Sequence, residues 1–479
     1  MLKGTPEGGP WEAIRRFFLP CRYVVVIAVI GLAVRLLVAP YSSWTYDVYP
    51  YYSATVGSLS GEGIYGQVMY SYPPLFQVVT YPLTLILSLF IDPGTFGSFQ
   101  PSMIDVGNTT RILVPFVTSP AFNLAIKLPM IIGDLLVGLF IYQIIKNLGN
   151  EVWARRAFIL WILNPLAIVT GSMMGQFDIL PALMTVAALY FALKQKYFVV
   201  GLLLGMGTLF KVYPIFLLVF YFVLILAMNF QEKMPWISKK GTFHIISLVT
   251  GGVASLITVL PFFANSDNFL DVIFRRTDYQ QFGGASIWSV WNYFTNGSSP
   301  DVTLPWLHIG LLTYIMILAT ATASAIWVAR RVGRPGRTFT KDLIVGNMFL
   351  IAAMLVLQPL TNPQHLLWLL PFLILFPEMG GRMEMRFIGL SIVGVLFLLS
   401  LLSFYALLYP LAVYTGLMDI GVLNNNIYLF YTTSSSIPHT FILGVVSSSA
   451  LALLLSTFLP KRYDPLQWIK GLSLKEGCK

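Results

Sequence analysis

The chain has 479 residues, of which 57% are hydrophobic and 10% charged, and its mean hydropathy is +0.75. Soluble domains carry roughly 25% charged residues, so the composition excludes a soluble globular protein and indicates a polytopic membrane protein. The net charge of +10 could suit a nucleic acid, but Lys and Arg in membrane proteins collect in cytoplasmic loops and set orientation, so no nucleic-acid partner is expected.

In chain order, apolar runs fit spans at residues 22–40, 121–146, 157–174, 179–194, 197–211, 213–230, 244–264, 306–329, 343–360, 365–377, 387–409 and 440–460. The expected fold is thus an all-α polytopic membrane protein of about 12 transmembrane helices, a single domain over 1–479. The first run holds Arg35 and lacks a small-residue cleavage site, so it is expected to remain as a span. With a cytoplasmic N-terminus, the inner connections and both termini hold 24 of the 30 Lys and Arg. That split favours an even number of spans with both ends cytoplasmic, in a prokaryotic cell membrane or the ER membrane. Cys21 and Cys478 lie near opposite ends and form no disulfide framework or metal-ligand spacing.

A long first outer loop, 41–120, contains "YPPLFQVVTYPLTLILSLFI" at 72–91. Counting that run as a span would move the basic segment at 146–156 outside, so an interfacial or re-entrant helix is expected. A second outer loop covers 265–305 and a third 410–439. Loops of this length usually carry function. Sequons at Asn108 and Asn296 fall in outer loops and are compatible with this topology.

The outer side also collects the residues that could do chemistry. Asp47 lies in "SSWTYDVYPYYS" among Trp44, Tyr46, Tyr49, Tyr51 and Tyr52; a lone loop Asp is ordinarily a turn former, and such aromatics an interfacial belt. Gln176 and Asp178 occupy a short turn in "GSMMGQFDILP", where Asp178 would ordinarily cap the next helix. Lys211, in "TLFKVYP", stands alone in about thirty residues; it is a snorkelling lysine or one facing a cavity with an anionic partner. Arg275 and Arg276 follow in the second outer loop, able to take a phosphate or to pair with Asp271 and Asp278. Gln364 and His365, in "QPLTNPQHLLWLLP", close the set. Arg35, Lys127 and Asp134 are charges within the first spans and are open to structural pairing. One carboxylate with cations and carboxamides on one side of an apolar protein suits an amphiphile with an anionic headgroup, such as a lipid-linked phosphate.

These segments resemble the GT-C glycosyltransferases, which take a sugar from a polyprenyl-phosphate carrier. "YDVYPYYSATVGSLSGEGIYGQVMYSYPPLFQ", then "LNPLAIVTGSMMGQFD" and "LFKVYP", are similar to the dolichyl-phosphate-mannose-dependent GPI mannosyltransferases in order and spacing. "SYPPL", "KLPMIIGDLL" and "GQFD" also resemble the dolichyl-phosphate-glucose-dependent glucosyltransferases. The resemblance covers roughly residues 40–215.

It implies hexose transfer, of mannose or glucose, with inversion on the outer or luminal face. The acceptor would be a glycolipid, a lipid-linked oligosaccharide or a protein. Asp47 would be the catalytic base, while Lys211, Arg275 and Arg276 bind the donor phosphate. Tyr46, Tyr49, Tyr72, Gln176, Asp178, Gln364 and His365 would hold substrate. Thr45 stands where the mannosyltransferases have a second aspartate, so a carboxylate-bridged divalent metal lacks a ligand and no obligatory metal is expected. A secondary transporter of a lipid or polyol is the alternative from another class, suggested by the charges within the spans. A non-catalytic subunit of a transferase complex is a third.

Overall fold

Helices dominate the described residues because the apolar runs, in lipid, must satisfy their backbone groups internally. The computed structural model describes residues 21–65, 70, 72–95, 103–106, 109–112, 116–231, 239–265, 283–295, 309–332, 338–376, 382–401, 404–417 and 437–458. In order the helices are α1 (Arg22–Val38), α2 (Thr45–Leu59), α3 (Leu75–Ser88), α4 (Pro120–Asn147), α5 (Glu151–Ile162), α6 (Ile179–Leu193), α7 (Tyr197–Phe210) and α8 (Pro214–Gln231). They continue as α9 (Lys239–Ala254), α10 (Ile287–Thr295), α11 (Ile309–Ala329), α12 (Phe339–Leu357), α13 (Leu370–Ile374), α14 (Arg382–Leu401), α15 (Phe404–Tyr414) and α16 (Ile437–Leu455). Besides short one-turn, 3-10 and π-helical pieces there are two small strand pairs: β1 (Met103–Val106) antiparallel to β2 (Thr109–Ile112), and β3 (Gly283–Gly284) parallel to β4 (Leu360–Thr361).

Eight helical stretches among the described residues are long and apolar enough to cross a bilayer, and the protein is an all-α polytopic membrane protein. Each coincides with one of the expected spans. The other four expected spans, from 179, 197, 213 and 365, fall on shorter apolar helices. Boundaries shift where local chemistry dictates. Asn150 caps α5 by accepting from the Trp153 N–H at 2.9 Å, starting that helix at Glu151 rather than 157. The expected span 387–409 divides into α14 and α15. The expected span 365–377 is a 3-10 turn, Pro363–Trp368, followed by the short α13, with Leu366, Leu367, Leu369 and Leu370 buried.

The segment 41–120, expected as the first outer loop, contains α2, α3 and the β1–β2 pair. In α3, the run expected to be interfacial, Phe76, Gln77, Thr80 and Thr84 face inward while Leu85 and Ile86 are exposed. Gln77 donates to Thr55 Oγ1 at 3.0 Å, fastening α3 to α2. Elsewhere small residues permit close approach: a Cβ on Gly201 of α7 would lie 1.9 Å from the Leu248 carbonyl oxygen of α9, and one on Gly251 2.0 Å from that of Phe198.

Two of the charges inside the bundle answer each other. Arg35 Nε donates to Asp134 Oδ2 at 2.7 Å, and Trp161 Nε1 donates to Asp134 Oδ1 at 2.8 Å, which joins α1, α4 and α5. Arg35→Met is expected to cost about 3–5 kcal/mol because it strands a buried carboxylate. Arg35→Met combined with Asp134→Leu should recover most of that loss. Thermal unfolding in detergent measures both, and a double variant no better than the single one would contradict the pairing.

Candidate active site

At one end of the bundle α1, α7 and α12 finish and α4 and α6 begin, and the chain reverses there in short turns. Asp47 sits in the first turn of α2, where the Asp47 and Val48 amides both donate to the Trp44 carbonyl at 3.0 Å. The turn before it is pinned by backbone bonds from Ser43 N–H to Leu407 O, 2.8 Å, and from Trp44 N–H to Met174 O, 3.0 Å. Gln176 follows the π-helical turn Ile168–Met174 that extends α5, and its Nε2 donates to Asp47 Oδ1. Burial pushes the Asp47 carboxyl up to about 7, although the nearby Lys211 ammonium and the Gln176 bond pull the other way.

The second carboxylate behaves oppositely. Asp178 precedes α6 but makes no capping bond. Its Oδ1 and Oδ2 accept from Lys211 Nζ at 2.8 and 2.7 Å, and Oδ1 also accepts from Trp368 Nε1 at 2.7 Å. Burial alone would raise Asp178, but Lys211, His365 and these bonds hold it below the ordinary carboxylate range. Two acids driven apart in this way divide the labour: Asp47 can take a proton near neutrality, whereas Asp178 stays a fixed anion.

Aromatic rings enclose the pair. Phe76 stacks on Phe177 at 4.6 Å, Tyr51 meets Phe76 at 4.6 Å and Phe177 at 5.8 Å, and Tyr72 meets Phe177 edge-on at 5.0 Å. Lys211 Nζ lies 5.3 Å from the Phe177 centroid and 5.9 Å from that of Tyr72, a cation set over rings. On the far wall Trp368 stacks on Tyr213 at 3.9 Å and on His365 at 4.4 Å. His365 Nδ1 is 3.3 Å from Gln358 Nε2.

Of the residues singled out from the sequence, Asp47, Gln176, Asp178, Lys211, His365 and Tyr72 thus share one cluster. Gln364 is buried beside His365 in the same 3-10 turn, and Tyr49 is half-buried against Tyr52 at 6.0 Å. Tyr46 lies in α2, but its side chain is outside the described residues, as are Arg275 and Arg276. β3, at Gly283–Gly284, pairs with β4 just ahead of Gln364 and His365 in the chain. Trp368 and Phe177 were not among the predicted site residues. The spacing from His365 to Trp368, three residues in a proline-started turn, is the signal that eclipses their rings.

The chemistry of the donor set bears on a metal. Both Asp178 oxygens already accept hydrogen bonds, and among the described residues no group of three or more His, Cys, Asp or Glu gathers to hold an ion.

An all-α multi-span membrane protein whose carboxylates, lysine and carboxamides converge at one end of the bundle has the build of a GT-C-type glycosyltransferase. The family model for glycosyltransferase family 87 matches residues 107–359, just over half of the chain, and the chain belongs to that family. It is similar to GPI mannosyltransferase 1 of Saccharomyces cerevisiae, 28% identical over 202 residues, 40% of this chain and 47% of that one. The corresponding protein of Eremothecium gossypii is 24% identical over 215 residues, 42% of this chain and 49% of that one. That of Candida albicans is 24% identical over 193 residues, 38% and 42% respectively. The chain therefore spans about half the length of the curated relatives it matches. It is thus a multi-span membrane protein of a glycosyltransferase family.

Trp368→Phe keeps a ring against Tyr213 but loses the bond to Asp178, and should lower stability by about 1–3 kcal/mol. Lys211→Met strands the Asp178 carboxylate and should cost about 3–5 kcal/mol. Denaturation of the purified protein decides, and a Lys211→Met protein as stable as the parent would contradict the buried pair.

Proposed function

We propose that this protein transfers a hexose, mannose before glucose, from a polyprenyl- or dolichyl-phosphate carrier to a hydroxyl of a glycolipid acceptor, with inversion. The observation that carries the reading is the joining of Asp47 and Gln176 to the Lys211–Asp178–Trp368 group in one buried cluster. The preference for mannose and for a glycolipid rests on the GPI mannosyltransferases to which the chain is similar. Lipid-linked oligosaccharide and protein acceptors suit the same chemistry.

In this reaction Asp47 accepts the proton of the acceptor hydroxyl as that oxygen attacks the anomeric carbon. The bond from that carbon to the phosphate oxygen breaks, its electron pair leaves on the carrier phosphate, and the new glycosidic bond forms on the opposite face. General-base assistance of this kind is worth roughly 10²–10⁴-fold. Lys211, held by Asp178, is a pre-oriented cation for the developing phosphate charge, and fixed charges in a water-poor cleft act more strongly than in water. Arg275 and Arg276 supply further positive charge to the donor phosphate in this reading. Tyr46, Tyr49 and Tyr72 offer rings to the sugar, and Gln176, Gln364 and His365 orient it. Because Asp178 is committed to Lys211 and Trp368, Asp47 works without a bridging metal, and activity should survive EDTA.

The chain is one membrane domain with both termini cytoplasmic and the site on the outer or luminal face, in a cell or ER membrane. In support of this orientation, Lys146, Arg155, Arg156, Lys194, Lys196, Arg330 and Arg331 lie at or just beyond helix ends at the opposite end of the bundle from the site.

The test is turnover of a polyprenyl-phosphate mannose by the purified protein. Asp47→Asn should lower kcat by about 10²–10⁴-fold, and parental turnover in that variant would refute the base assignment. In the parent, the base is available only when Asp47 is ionised, so kcat/KM should fall as pH drops through about 7. A profile flat from pH 5 to 8 would contradict the assignment.

A further inference from the structure

Lys127 lies in α4, wholly buried, in an apolar helix where a charge needs a reason. Its bonds do not go to a carboxylate, since Asp134 on the same helix is taken by Arg35 and Trp161. Its ammonium instead donates to three backbone carbonyls: Ala39 at 2.9 Å, Met173 at 2.9 Å, and Ser42. Three donors meet three acceptors, the whole inventory of a lysine head.

Those carbonyls belong to two separate segments. Ala39 and Ser42 form the turn in which α1 ends and from which Asp47 follows. Met173 lies next to the end of the π-helical turn Ile168–Met174 that leads to Gln176. Both segments are helix C-termini, where unpaired carbonyls and the helix dipole place partial negative charge, so their approach is unfavourable without a cation between them. The contact is tight on its other side as well. Gly175, at φ +86°, leaves space so close that a Cβ would lie 2.9 Å from Val48 Cγ2 and 3.1 Å from Lys127 Cε.

We propose that Lys127 is a positioning residue for the transfer reaction: by clamping the turn before Asp47 to the turn before Gln176, it sets the distance and angle at which the two side chains meet. The proposal rests on Asp47 being the proton acceptor, and it goes further by assigning the alignment of that carboxylate to a residue that does not touch substrate. A displacement of about 1 Å at a reacting group can cost about 10²-fold in rate.

The experiment uses the full chain in detergent, with Lys127→Met and Gly175→Ala. Lys127→Met removes the ammonium at similar length, and Gly175→Ala wedges the two turns apart with Lys127 retained. Both should lower kcat by about 10–100-fold while the KM for polyprenyl-phosphate mannose changes by less than about twofold. Amide hydrogen exchange in Lys127→Met should rise together in segments 42–48 and 170–177 and stay at the parental level in 197–210. A folded Lys127→Met protein with parental kcat, or with exchange raised in one segment alone or evenly throughout, overturns the proposal. If Lys127→Met does not fold, Gly175→Ala decides, and parental kcat or a change confined to KM counts against the clamp. A parent without turnover on any polyprenyl-phosphate sugar would sink the donor reading, and the exchange comparison would then still decide whether Lys127 holds the two turns.

Discussion

The structure depends on one constraint: an ion within an apolar bundle must be met by opposite charge or by enough hydrogen bonds, because water is not there to do it. Arg35 and Asp134 answer each other, and Lys127 is answered by three carbonyls. Lys211 and Asp178 form the third solution, completed by the Trp368 indole. Asp47 is treated differently, because its hydrogen bond comes from the Gln176 amide, which carries no charge. The pressure of burial therefore stays on that carboxyl, and a proton-accepting group poised near neutrality results.

Helix endings give the site its shape. Asp47 starts a helix, Gln176 and Asp178 occupy the turn between two, Lys211 ends α7 with extended backbone, and His365 and Trp368 ride a 3-10 turn after α12. Turns of this kind leave polar backbone groups to be satisfied, and here the buried polar cluster and the backbone carbonyls meet at the same turns. Lys127 belongs to the carbonyl half of it. The same side chains that hold the loops together thereby define where a substrate's reacting atoms would have to sit.

The family match at 107–359 captures the part of this network that runs from α4 through Lys211 to α12. Asp47 lies before it and His365 and Trp368 after it. The cluster is therefore composite, with the carboxylate that would do proton transfer and the wall that supports Asp178 contributed by the flanking segments. A family assignment made from the central stretch does not by itself specify those groups, whereas the packing brings all three stretches together.

Hydropathy is local and nearly additive, which is why the amino-acid order alone determined the membrane class and the place of almost every apolar helix. It also sorted the polar residues toward one end, since Lys and Arg elsewhere mark the other. What it did not determine was partnership. Asp178 reads as a helix cap, yet it is bound by Lys211 and by Trp368, which is 190 residues away. Lys127 reads as one of three charges open to pairing and is spent on carbonyls of two other segments. Such pairings depend on how helices are rotated and how far their ends advance against one another, quantities of a few ångströms that no local pattern encodes and that only the packed bundle decides.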